Sequence, residues 1–379
     1  MKKSSGTHIE LFNYFKNYLS PDMPHPPLFI YIEPINACNL NCPFCATAAI
    51  EREKRPLDFK LYKKAINEIV SLGWHKYARL GLQGQGESLL NKDILEMVKY
   101  AKIKGIAQVE LITNATLLSE STSFKLINYG LDRIQFSIDS IKKATYDLIR
   151  RAKAKNKSYF YNVMKNILTF ISLNIKNGCK VKISISAIIS KINRKEKRRF
   201  LKFWRSLPID NVFFPPLRTL QNNSPWPKIK RFKGNIKNKQ ICLMPWIGLS
   251  IKSNGDIVAC CHDFHDRYPL GNIKKYKMSD AWNNAKIKKL RDALISGNLA
   301  YFSGIKHDCL SCNNPCIGLG QNDFIKNSEA YMRKTIFAAD MPPMPAQIKK
   351  IRNLRMVFSQ GCKKHCRELL GNKKDGKYN

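Results

Sequence analysis

Between Leu28 and Pro215 the sequence alternates short apolar runs with longer amphipathic ones, and this alternation constrains the fold more than any other feature. The runs Leu28 to Pro34, Ala78 to Gln83, Gln108 to Thr113, Asp132 to Asp139, Val181 to Ile189 and Asn211 to Pro215 have the length of buried strands. The intervening segments Asp58 to Leu72, Asp93 to Lys104, Leu117 to Tyr129, Tyr161 to Lys176 and Lys195 to Leu207 repeat their apolar residues at helical spacing. Strands separated by helices make a parallel sheet, since a parallel neighbour needs a crossover. Two architectures share that pattern, an open barrel of six units and a doubly wound open sheet.

The first apolar run leads straight into Cys38 to Cys45, reading CNLNCPFC. Thiols at Cys38, Cys42 and Cys45 can hold three corners of a small inorganic cluster and leave the fourth without a protein ligand. A cluster used only to store electrons takes four cysteines, so an incomplete set suits one that binds a molecule at its open metal. Asn39 and Asn41 tolerate left-handed backbone and Pro43 fixes one dihedral, which lets the loop curl around its guest. Ligands at the C-terminal end of a strand favour the barrel. The expected fold is therefore α/β: a partial (β/α)6 TIM-like barrel, followed by a small cysteine-rich α+β unit.

The eight residues resemble the cluster loop of the radical S-adenosylmethionine (radical SAM) enzymes, including the aromatic Phe44 before the third cysteine. The resemblance implies a [4Fe-4S] cluster on Cys38, Cys42 and Cys45, with S-adenosylmethionine on its open iron. It also implies reductive cleavage to a 5′-deoxyadenosyl radical that abstracts a hydrogen atom. Further cofactor contacts are implied at Phe44, Gly86, Glu87, Asn114, Ser137, Asp139 and Arg150. Gln85-Gly86-Glu87 stands where the family usually has two glycines and a glutamate, with Ser88 in place of a proline and Ala115 where a glycine is common. No catalytic acid or base can be assigned from the sequence.

A second set, Cys242, Cys260, Cys309 and Cys312, offers four thiols from three segments, around a hairpin that turns at Asn254-Gly255. It resembles the SPASM or twitch extension of radical SAM proteins, which implies an auxiliary [4Fe-4S] cluster with a complete ligand set. Cys261, Cys316, Cys362 and Cys366 are left over for a further cluster. The expected organisation is a helix and lead-in over 1–27, the barrel over 28–217, a basic linker over 218–241, the auxiliary unit over 242–316 and a basic extension over 317–379.

No run of eighteen apolar residues exists, so no membrane span is expected, and twelve cysteines without an apolar leader read as ligands in a reducing cytoplasm. The formal charge of +38 admits nucleic acid as a partner, although Lys, Asn and Ile are abundant throughout. The favoured function is radical oxidation of a small molecule, a sugar or aminocyclitol carbon, with electrons from a partner such as flavodoxin or ferredoxin. The rivals are a maturase acting on a ribosomal peptide and a zinc-containing nucleic-acid-binding protein.

Overall fold

The computed structural model describes residues 20–45, 47, 50–154, 156–215, 242–296 and 298. Nine strands form one sheet in the order β6-β5-β4-β3-β2-β1-β7-β8-β9. The first six are β1 (Phe29–Ile32), β2 (Arg79–Leu82), β3 (Gln108–Thr113), β4 (Arg133–Ser137), β5 (Lys182–Ser186) and β6 (Asn211–Phe213). Each pairs in parallel with the next, and the spatial order follows the chain without reversal. A doubly wound sheet reverses at a switch point, so this winding belongs to a partial barrel.

Six helices accompany these strands: α1 (Phe59–Ser71), α2 (Ile94–Ile103), α3 (Glu120–Asn128), α4 (Lys143–Ile149), α5 (Phe160–Lys176) and α6 (Lys197–Arg205). Asp58 starts α1 by accepting from the backbone of Lys60 and Leu61, and Ser119 starts α3 by accepting from Thr122. The strands send alternate residues to the helices. Ile134 and Phe136 are buried, and Phe136 meets Phe170 of α5 edge to face at 5.5 Å, so Arg133, Gln135 and Ser137 lie on the opposite, inner face.

The auxiliary unit is continuous with the barrel. Helix α7 (Met244–Ile247) runs into β7 (Gly248–Ile251), which pairs in parallel with β1 in the register Phe29↔Gly248 to Ile32↔Ile251. A seventh parallel strand thus extends the six that were expected, and the sheet does not break at the anticipated domain boundary. The expected hairpin follows: β7 and β8 (Asp256–Val258) are antiparallel, Gly255 has φ of 93°, and β9 (Gly271–Asn272) adds the last strand.

The spacing of apolar residues from Ser279 to Ser296 predicts one helix, but the chain forms two, α8 (Met278–Asn283) and α9 (Ala285–Ser296). Asn284 makes the break. Its side chain donates to the Leu270 carbonyl at 2.6 Å and accepts from Ile287 N at 3.1 Å, capping α9 while its backbone is extended. The expected N-terminal helix, the linker over 218–241 and the extension over 317–379 lie outside the described residues.

Arg291 of α9 is fully buried. Its guanidinium donates to the carbonyls of Pro21, Pro245 and Trp282 and to Asn283 Oδ1, and it lies 4.7 Å from the Trp282 ring centre. The lead-in, α7 and α8 are thereby fastened to one side chain.

Candidate cofactor site at the mouth of the barrel

The cysteine loop follows the C-terminal end of β1. It is stitched to the segment after α4: Leu40 forms a β-bridge with Ala152, and Asn41 N donates to the Arg151 carbonyl at 2.7 Å. Leu40 N points at Cys38 Sγ at 3.5 Å, and Cys45 N donates to the Cys42 carbonyl at 3.0 Å. Burial raises the Cys38 thiol above its usual range and pushes Cys42 up to about 12, with the neighbouring thiols adding repulsion. Cys38 and Cys42 thus lie where a thiolate needs a cation to be stable, and Cys45 is partly buried in the same loop. A cluster's irons supply that charge, so the donor set fits.

Gly86 is required by a close approach. A Cβ there would collide with the carbonyl oxygens of Ile35 and Ala37, which deliver the chain into the cysteine loop, and Glu87 N donates to Ala37 O at 2.9 Å. The Glu87 carboxylate is buried and fully engaged within the protein. It accepts from Thr113 Oγ1 at 2.6 Å, Asn114 N at 2.7 Å and Leu89 N at 3.2 Å, while burial raises its pKa. Its first task is to tie the glycine turn to the end of β3.

Asn114 turns that strand end toward the cysteines, with Nδ2 3.0 Å from Asn39 Oδ1 and 3.8 Å from Cys38 Sγ. The next residue, Ala115, is fully buried at φ of 61°. A left-handed backbone explains why a glycine is common at this point of the motif.

Asp139 is engaged on both oxygens: Oδ2 receives Arg150 Nε at 2.6 Å and Oδ1 receives Ile188 N at 2.6 Å. Its carboxylate holds Arg150, whose guanidinium carbon lies 5.7 Å from the Phe44 ring centre. Ser137 is half-buried on the inner face, 3.5 Å from Ser186 Oγ, which also accepts from Gln135 Nε2 at 3.0 Å.

Of the second cysteine set, Cys242 and Cys260 are described, together with Cys261, and all three are partly buried. His262 N lies 3.4 Å from Cys260 Sγ. Cys309, Cys312, Cys316, Cys362 and Cys366 lie outside the described residues.

Sequence reasoning missed a buried ionic group between the two cysteine regions. Glu33, just after β1, receives Arg52 Nη1 at 3.0 Å, Gln85 N at 3.0 Å and Ser253 N at 3.1 Å; the charges of Lys252 and Arg52, with the Gln85 amide, hold its carboxyl below the usual range against the cost of burial. Arg52 Nε reaches Asp266 at 3.0 Å, and Lys252 Nζ lies 3.8 Å from the same carboxylate. Burial pushes the Asp266 carboxyl up to about 7 in spite of these cations. Lys252 follows β7 and precedes a turn, which reads as an exposed cation; its neighbours in space reveal otherwise.

Two family models match this chain. One, the radical SAM superfamily, covers residues 32–203, and the other, an iron-sulfur cluster-binding domain termed SPASM, covers residues 242–313. The chain belongs to the radical SAM superfamily. Membership brings a SAM-binding [4Fe-4S] cluster, S-adenosylmethionine and an auxiliary cluster in the SPASM region, which leaves the zinc reading without support. Among relatives of this radical SAM protein, a "tungsten-containing aldehyde ferredoxin oxidoreductase cofactor-modifying protein" of Pyrococcus furiosus is 20% identical over 348 residues, covering 79% of this chain and 90% of its own. The PqqA peptide cyclase of Bradyrhizobium diazoefficiens is 29% identical over 124 residues, covering 32% of this chain and 31% of its own. The crystal structure of Streptococcus suis SuiB bound to S-adenosylmethionine superposes with a TM-score of 0.54 at 17% identity, over 81% of this chain and 74% of that one. That likeness speaks for the shared fold.

Proposed function

We propose that this radical SAM enzyme oxidises a carbon–hydroxyl or carbon–amine centre of a small polar molecule, a sugar or aminocyclitol. Cys38, Cys42 and Cys45 would hold the first cluster, and Cys242, Cys260, Cys309 and Cys312 the auxiliary one. When bound, the first cluster and S-adenosylmethionine supply the 5′-deoxyadenosyl radical that takes a hydrogen atom from the substrate. The chain's own residues orient and exclude. Gly86 lets the turn approach the cysteine loop, Asn114 steadies Cys38, and Asp139 presents Arg150 beside Phe44 for the cofactor carboxylate. The substrate radical must then lose a proton and one electron, and a cluster held by Cys242, Cys260, Cys309 and Cys312 would supply the acceptor for that electron.

The observation that carries the substrate class is the inner wall of β4 and β5. Gln135, Ser137, Ser184 and Ser186 lie on one face there, a surface of hydroxyl and amide groups suited to a polyhydroxylated molecule. A cytoplasmic setting and an acidic electron-donor protein of the flavodoxin or ferredoxin kind belong to the same proposal. Among the described residues no helix is long and apolar enough to cross a membrane. A second reading, modification of a peptide, is favoured by the peptide cyclase relative, which is similar over 124 residues.

The test is isotope transfer. Reconstituted enzyme, reductant and S-adenosylmethionine are incubated with carbon-deuterated sugars and aminocyclitols, and separately with deuterated peptides. Deuterium in 5′-deoxyadenosine from the first pool supports the reading. Transfer from peptides alone replaces it with the second, and no 5′-deoxyadenosine from any pool contradicts both.

A further inference from the structure

Gln85 stands where radical SAM sequences usually carry glycine, and the structure makes it a bridge between the two cysteine regions. Its carbonyl accepts from Thr47 Oγ1, whose oxygen is also 3.1 Å from Cys45 Sγ. Its side chain reaches the other way. Nε2 donates to the Cys261 carbonyl at 2.6 Å, and Oε1 receives Lys252 Nζ at 3.1 Å and Arg52 Nη2 at 3.4 Å. Lys252 Nζ is itself 3.4 Å from the Cys261 carbonyl, and its side chain is 2% exposed.

We infer that Gln85 is a positioning residue that sets the auxiliary-cluster loop in register with the first cluster's loop, with Lys252 fixing the direction of its amide. The inference rests on the reading of the two cysteine sets as cluster ligands. Glycine would preserve the turn at lower cost, because a buried glutamine must satisfy both ends of its amide. Here both ends are satisfied, each by a group from a different segment. The arrangement links Cys45, through Thr47 and Gln85, to the backbone beside Cys260, so a displacement at one cysteine loop is felt at the other. It also places a buried cation against the Cys261 carbonyl. Charge and hydrogen bonding around a cluster set its reduction potential, so the same contacts would favour the reduced form of a cluster held by Cys260.

Gln85→Met keeps the length and removes every side-chain hydrogen bond, Lys252→Met removes the cation, and Gln85→Glu keeps only the acceptor. Each full-length holoenzyme is assayed for iron, for the midpoint potentials of both clusters by EPR titration, and for amide exchange at residues 260–266. The expected result for Gln85→Met is wild-type iron, an unchanged first-cluster potential, a more negative auxiliary potential and roughly tenfold faster exchange confined to 260–266. Lys252→Met should shift the auxiliary potential in the same direction, and Gln85→Glu, which adds a negative charge beside Lys252 and Arg52, should shift it at least as far as Gln85→Met.

A folded Gln85→Met with wild-type potentials and exchange overturns the inference. So does uniform loss of iron from both clusters with destabilisation of the whole protein in both methionine variants, since that is a packing role alone. If wild-type protein holds no auxiliary cluster, the ligand reading fails instead, while the exchange at 260–266 still reports whether Gln85 sets the loop.

Discussion

Asp139 Oδ2 lies 2.6 Å from Arg150 Nε, and the pair joins the end of β4 to the ring of Phe44 in the cysteine loop. The carboxylate raises the already high pKa of the guanidinium, which stays charged. Asp139→Asn and Arg150→Lys should therefore both weaken S-adenosylmethionine, the first by freeing the guanidinium and the second by losing its forked donor. A charge-assisted hydrogen bond contributes about 1.5 to 3 kcal/mol, so the expected loss is about tenfold to a hundredfold. Calorimetry on iron-replete variants checks it, and wild-type affinity in both would remove Arg150 from the cofactor site.

Glu87 has a structural duty that its motif does not advertise. Glu87→Ala leaves Thr113 Oγ1 and the amides of Leu89 and Asn114 without their acceptor inside the protein. The expected cost is about 2 to 4 kcal/mol of stability, together with weaker cofactor binding, because Asn114 loses its anchor beside Cys38. Denaturant unfolding and calorimetry on the same samples separate the two effects. A fall in affinity with unchanged stability would mean that the carboxylate serves the cofactor alone.

Ala115 offers the opposite sign. Its φ of 61° strains any residue with a Cβ, so Ala115→Gly should stabilise the protein by about 1 kcal/mol, offset in part by the greater freedom of glycine in the unfolded chain. A rise in melting temperature with unaltered iron content is the expected outcome. A fall would show that the methyl group's packing outweighs the strain.

Arg291→Met should be among the most damaging substitutions outside the cysteines. Three carbonyls and Asn283 Oδ1 lose a donor in a buried site, for an expected loss of about 3 kcal/mol or more. Arg291→Lys should recover little, since a point donor cannot serve four acceptors spread around a planar group. Chemical denaturation measures both, and a lysine variant as stable as wild type would refute the role given to the fork.

The barrel was legible because its signals are local. Apolar runs and capped helices repeat along the chain, and a strand running into three cysteines places the site at the barrel mouth. The seventh parallel strand was not legible, since Gly248–Ile251 reads equally well as half of an isolated hairpin, and only its pairing with β1 reveals the continuous sheet. Asn284 broke an apparently continuous helix by capping its second half. At the site, the cysteines and Gly86 announce themselves through spacing and turn chemistry. Asp139 does not announce that it serves Arg150, and Lys252 looks like a surface lysine until Gln85, Cys261 and Asp266 are seen around it. Partnerships made only by the fold leave no periodic trace, whether 11 residues apart, as Asp139 and Arg150 are, or 167, as Gln85 and Lys252 are.

The most direct measurement is the iron content and S-adenosylmethionine cleavage of anaerobically reconstituted wild type and Cys42→Ala. Two four-iron clusters give about eight irons per chain, and wild type should convert S-adenosylmethionine to 5′-deoxyadenosine under a strong reductant. Cys42→Ala should keep about half the iron, all of it auxiliary, and form no 5′-deoxyadenosine. A colourless zinc protein, or a Cys42→Ala variant that still cleaves the cofactor, would contradict the assignment of the first cluster to this loop.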